Sequence, residues 1–147
     1  MLTNEILKAS GTLHIVVTDS AGNIKEDRKL TNLVVTVGKA FVASRMVGVA
    51  QNVMSDMAVG SGTVAAAAGD TALGNELARA VLTSSIASSN TVVYSAALGA
   101  GVGTGAVTEA GIFNASSSGT MLCRTVFSVV NKGLLDSMAI TWTITIS

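Results

Sequence analysis

Across residues 137–147 the chain alternates without a fault: Met138, Ile140, Trp142, Ile144 and Ile146 fall on one side, and Ser137, Ala139, Thr141, Thr143, Thr145 and Ser147 on the other. Side chains along a strand point to opposite faces in turn, so this stretch reads as a strand with one apolar and one hydroxyl-bearing face. Residues 121–130 and 106–114 read as two further strands. The small polar run 115–119 between them is hairpin-like, and residues 131–133, Asn-Lys-Gly, supply turn chemistry for the next reversal. Three sequential strands with short connections predict an antiparallel meander, a scaffold with no visible chemistry.

The rest of the chain extends this pattern. Residues 1–10 read as an arm that docks on a partner through Leu2, Ile6 and Leu7, and residues 11–147 as a single β domain. Strands are expected at 11–19 and 24–30, joined by a tight turn at 20–23. The second, with Lys25, Glu26, Asp27, Arg28 and Lys29, is charged enough to be an exposed edge. After a short apolar segment at 31–36, the period changes. Val37, Ala40, Phe41, Ala43 and Val47 fall near helical spacing, with Thr36 as N-cap and Gly48 as stop. A strand at 54–60, an Ala-rich loop or weak helical turn at 63–69 and a structured loop at 69–77 follow, and in the last of these Asp70 is placed to bond backbone amides two or three residues on. Residues 79–87 and 91–98 then predict a hairpin across 88–90. The sum is about eight strands, a mainly β chain forming an antiparallel sandwich or jelly-roll-like barrel with one short helix. Phe41, Tyr94, Phe113, Phe127 and Trp142 are the expected core anchors.

At 147 residues the chain fits one domain with one core. Only 12% of residues are charged and the formal net charge is zero, which argues against a nucleic-acid interface and against an anionic membrane surface. No apolar run approaches the ~18 residues of a membrane span. Glu5 and Lys8 interrupt the first apolar residues, so no signal peptide is expected and the reading is a soluble protein made in the cytosol. The single Cys123 excludes an intramolecular disulfide and a cysteine-based metal cluster. Low charge with many small apolar residues suggests a surface covered by a partner.

Candidate sites weigh towards structure. Gly101-Val-Gly103-Thr-Gly105-Ala106 and Gly60-Ser-Gly62-Thr-Val-Ala65 both fit G-x-G-x-x-A, but a dinucleotide site needs a helix opening from the run, and Gly105 leads into an expected strand. His14, the only histidine, reads as a strand residue with Asp19 or Glu26 within reach across the hairpin, and Cys123 as a small buried filler. Glu76, Arg79, Glu109 and Arg124 interrupt otherwise apolar or small-residue segments. A buried charge must be paired, so these four read as structural ion pairs, Glu109 with Arg124 or with Arg79. No catalytic residue, cofactor or metal is expected.

NLVVTVGKAFVASRM (32–46), MAVGSGTVAAAAGDTALGNELAR (57–79), VTEAGIFN (107–114), MLCRTVF (121–127) and ITWTITI (140–146) together resemble small virion structural proteins of tailed bacteriophages. The resemblance covers most of the chain beyond residue 10 and carries no catalytic signature. It implies a virion part assembled in the bacterial cytoplasm. The first expectation is a capsid decoration (cement) protein that binds the outside of the head, bridges subunits of the major capsid protein and forms a dimer or trimer. The T-E-x-G-I/L-F pattern also occurs in tail-fibre and collar-type proteins, so a fibre, collar or adaptor subunit is the alternative. A carbohydrate-binding sandwich is disfavoured by the scarcity of aromatics.

Overall fold

The computed structural model describes residues 4–147, which form ten strands and one helix. In chain order these are β1 (Ala9–Thr18), β2 (Ile24–Thr31), β3 (Leu33–Val34), α1 (Thr36–Arg45), β4 (Asp56–Gly60), β5 (Glu76–Val81), β6 (Ser84–Ser88), β7 (Thr91–Leu98), β8 (Gly105–Phe113), β9 (Met121–Lys132) and β10 (Ser137–Ile146). They make two five-stranded sheets, β2-β1-β10-β7-β6 and β3-β9-β8-β4-β5, with every strand pair antiparallel. The fold is an antiparallel β-sandwich, and each sheet keeps two edges rather than closing into a barrel.

The alternating strand β10 is central to the first sheet, with β1 on one side and β7 on the other. Its apolar row meets Leu13, Ile15 and Val17 from β1 and Ala96 and Leu98 from β7 in the main core. Trp142 is fully buried there, and its indole N–H has no partner, which makes its apolar surface the whole of its contribution. Phe41, Phe113 and Phe127 are also buried, while Tyr94, opposite Trp142, is half-buried.

Four expectations are corrected. The terminal strands are not a meander: β8 and β9 pair, but after β9 the chain crosses at 133–136 into the other sheet. Alternation decides which face of β10 is buried and says nothing of which strand supplies its neighbour. The strand expected at 79–87 is two strands in different sheets. At its middle, Leu82 N–H donates to Ser55 O and Thr83 N–H to Ser95 O, so the chain turns the corner of the sandwich there. The expected arm is shorter than ten residues, since Ala9 and Ser10 pair with Ile146 and Thr145, and Lys8 and Ser147 exchange backbone bonds. Finally, Thr36 is the first helical residue and not the N-cap. Val35 holds that place with extended backbone and no side-chain cap, and Thr36 N–H donates to Ala68 O of a distant loop. Gly48 does stop the helix: its φ of 68° lets Val49 N–H reach back to Ser44 O.

The second sheet differs from the first in having a centre buried on both faces. All five residues of β4 and seven of the nine in β8 are buried. One face meets the main core. On the other, Ala58, Phe113 and Met121 pack with Leu73 and Val35, which belong to the covering loop and to the approach to α1.

Candidate functional site: a loop fastened by a buried ion pair

Residues 61–75 connect β4 to β5 with no helix or strand of their own. A connection this long inside a sandwich must be disordered or held, and this one is held. Its fastening is Glu109 on β8 and Arg124 on β9, 0% and 3% exposed. Arg124 Nε and Nη2 donate to Glu109 Oε2 at 3.1 and 2.9 Å, Nη1 donates to Asp70 Oδ2 at 2.8 Å, and Nη2 also reaches Val64 O at 3.0 Å. Glu109 Oε1 accepts from the backbone N–H of Gly62 and Asn75 at 2.8 and 2.7 Å, and Oε2 from that of Gly74 at 2.8 Å. Thr108 Oγ1 adds a bond to Gly62 O, and Leu73 is buried between the loop and the sheet.

Taking a carboxylate and a guanidinium out of water costs several kcal/mol per ion unless the remaining lone pairs and protons are also satisfied. Both oxygens of Glu109 are satisfied, by loop amides as well as by the arginine. Burial pushes the Glu109 carboxyl up, but the amides of Asn75 and Gly74, the Arg124 guanidinium and the amide of Gly62 outweigh it, and the net shift is below the usual carboxylate range. Asp70 is likewise held down, first by the Ala67 amide and then, against some desolvation, by Arg124. Arg124 is drawn down by burial and raised overall by Glu109 and Asp70. All three stay charged, as a fastening requires.

This geometry explains the G-x-G run at 60–62. One of its amides, that of Gly62, does face an anion, and the anion is the carboxylate of Glu109, 47 residues on in the chain. A Cβ added at Gly62 would lie 2.5 Å from Glu109 Oε1, so a side chain there displaces the carboxylate. The second run, at 101–105, joins β7 to β8 and opens into a strand.

The four charged candidates form two separate pairs. Glu109 bonds Arg124, and Arg79 bonds its own strand neighbour Glu76, Nη2 to Oε1 at 2.6 Å. The expected alternative partner of Glu109, Arg79, instead lies over the Phe113 ring at 3.9 Å and donates from Nη1 to Ala115 O and Ser118 O, pinning the β8–β9 hairpin. Asp70 bonds backwards to Ala67 N–H and not forwards as expected. His14 Nε2 lies 2.6 Å from Asp27 Oδ1, not near Asp19 or Glu26, because residues 14 and 27 share the outer face of the β1–β2 pair. Burial pushes the Cys123 thiol far up, so it is inert packing.

Two features escaped the sequence reading. Lys132, taken as a turn residue, is 1% exposed and donates from Nζ to Gly99 O; burial lowers its pKa against the pull of Asp136. Asp136 pairs in turn with Lys25 and accepts from Gly133 N–H. The available signal was phase, since Lys132 stands two residues beyond buried Val130 on the same strand. The second feature is a groove between the first residues and α1, lined by Ile6, Leu7, Val42, Met46 and Ile146. Ile6 and Leu7 are 69% and 72% exposed, and Leu2 lies outside the described residues. Among the described residues, no three His, Cys, Asp or Glu side chains are grouped to hold a metal, and no helix is long and apolar enough to cross a membrane.

Comparison with protein-family models, with curated proteins and with solved structures finds no match to this chain.

Proposed function

We propose that the chain is a structural component of a bacteriophage virion, a capsid decoration protein that seats on the outside of the head and bridges neighbouring subunits of the major capsid protein. The observation that carries this reading is a convergence. The stretches on which the virion resemblance rests are far apart in sequence, yet Gly62, Asp70, Leu73, Gly74, Asn75, Glu109 and Arg124 meet in one fastening. Its product is a fastened loop that presents Thr63, Val64, Ala65, Thr71 and Ala72 to solvent. A preordered surface of small uncharged side chains suits repeated contact with a shell, because little entropy remains to be lost on docking. The groove at Ile6, Leu7 and Met46 offers a second, apolar contact. Binding the assembled shell better than its free subunits stabilises it by linkage.

The Thr108–Phe113 segment keeps a tail component as the second reading. A carbohydrate-binding role lacks a stacking platform, since Phe41, Phe113, Phe127 and Trp142 are buried and Tyr94 is half-buried. Copy number in purified virions decides. A ratio to the major capsid protein near one, or a simple fraction of it, is the expected result. A ratio orders of magnitude smaller moves the protein to the tail, and absence from virions overturns both readings.

A further inference from the structure

The two sheets have four edge strands, and three of them are protected against pairing with another chain. Strand β2 carries five consecutive charged residues, Lys25 to Lys29, and its pairing with β1 is broken by a bulge at Val17/Thr18. Strand β3 is two residues long. Strand β5 carries Glu76 and Arg79, and its pairing with β4 is bulged at Val59/Gly60. These are the devices by which sheet edges avoid association.

Strand β6 has none of them. Its sequence is Ser-Ser-Ile-Ala-Ser, without charge or proline, and its register with β7 is unbroken from Ser84↔Ser95 to Ser88↔Thr91. Its other side has no strand partner among the described residues. Four of its five residues are exposed, Ile86 at 61%. The flanking sequence is as neutral as the strand, for no residue from 80 to 108 is charged.

We propose that β6 is a self-association edge, pairing antiparallel with β6 of a second copy so that the first sheet runs continuously through both. A two-fold interface must complement itself, and any charge near the axis meets its own copy. Here the axis falls at Ile86. Ile86 faces its counterpart, Ser85 faces Ala87 and Ser84 faces Ser88, so the pairs are one apolar contact flanked by small side chains. The absence of charge over residues 80–108 is the electrostatic condition for this apposition, and β2, at the other edge of the same sheet, fails it. The pairing gives the self-association expected of a virion part a definite surface, but it concerns the isolated chain. Copy number in virions and association of the purified protein can therefore fail independently.

Sedimentation velocity of the purified full chain, from roughly 10 μM to 1 mM to cover the weak affinities of small interfaces, tests it. The expected result is a monomer–dimer equilibrium that Ile86→Lys weakens at least tenfold, with an unchanged circular dichroism spectrum, while Ile24→Lys on β2 leaves it alone. Ile86→Cys provides a second measure that does not depend on Ile86→Lys folding. Mild oxidation by diamide should link it into covalent dimers, because directly opposed strand residues bring Cβ atoms within about 4.5–5.5 Å, and should not link Ile24→Cys. A monomer throughout the range, a dimer indifferent to Ile86→Lys, or a trimer, which an isologous edge cannot close, would each overturn the proposal.

Discussion

The outward faces of the two sheets solve opposite problems. On the first sheet, Thr12, Thr141 and Thr143 look onto an open, shallow groove, and the His14–Asp27 pair beside them is 40% and 56% exposed. Water satisfies whatever the protein does not. On the second sheet the corresponding face is roofed by residues 61–75, and Glu109 and Arg124 beneath it have only protein to bond. The same polar alternation thus carries little energy on one sheet and holds the architecture together on the other. The environment of a polar group, more than its identity, sets what its loss costs.

Perturbing the two faces should separate them clearly. Trp142→Ala, which empties the core that both sheets share, is expected to cost about 3–5 kcal/mol, read as a lowered urea midpoint; an unchanged midpoint would mean that the indole does not fill the core. Glu109→Gln should cost a similar or slightly smaller amount, about 3–5 kcal/mol for one half of a buried pair, and should also open residues 61–75 to limited proteolysis. Protection equal to wild type would show that the carboxylate does not hold the loop. Gly62→Ala should cost about 1–3 kcal/mol by overpacking against that carboxylate. At the small end, Asp27→Ala on the open face should shift stability by no more than about 1 kcal/mol.

Acid sharpens the same contrast. Glu109 and Asp70 have folded pKa values below their ordinary ones. Between the depressed folded values and the ~4 of free carboxyls, the unfolded chain binds more protons, so stability is fully present above that range and is lost as pH falls through it. Urea midpoints taken from pH 7 down to pH 3 should therefore fall more for wild type than for Glu109→Gln, and the gap between them should narrow. Parallel curves would locate the acid-sensitive groups elsewhere.

How much of this was legible follows from the same physics. Alternation in β10 and the charge run of β2 could be read directly, because a half-buried strand and an open edge write their environment into every second residue or into a block of charge. Glu109 and Arg124 stood out as charges inside small-residue segments, so their pairing could be anticipated. The amides of Gly62, Gly74 and Asn75 could not, since every residue of a chain without proline offers a backbone N–H and only the folded path of the loop aims three of them at one carboxylate. The sheet switches at Leu82–Thr83 and at 133–136 were hidden for a related reason. A strand's pattern records which side is dry and leaves no mark of which neighbour completes its ladder. Lys132 was misread because a long aliphatic stem can be buried while its ammonium bonds a carbonyl, so its charge concealed its phase.

Glu109 grips the covering loop through its main chain, by three amide N–H groups, while Arg124 takes one of its carbonyls. The exposed side chains at Thr63, Val64 and Ala65 are therefore spectators of folding, and substitutions there should be nearly free of structural penalty. A surface built this way can drift in sequence, generation after generation, while the frame that presents it stands still.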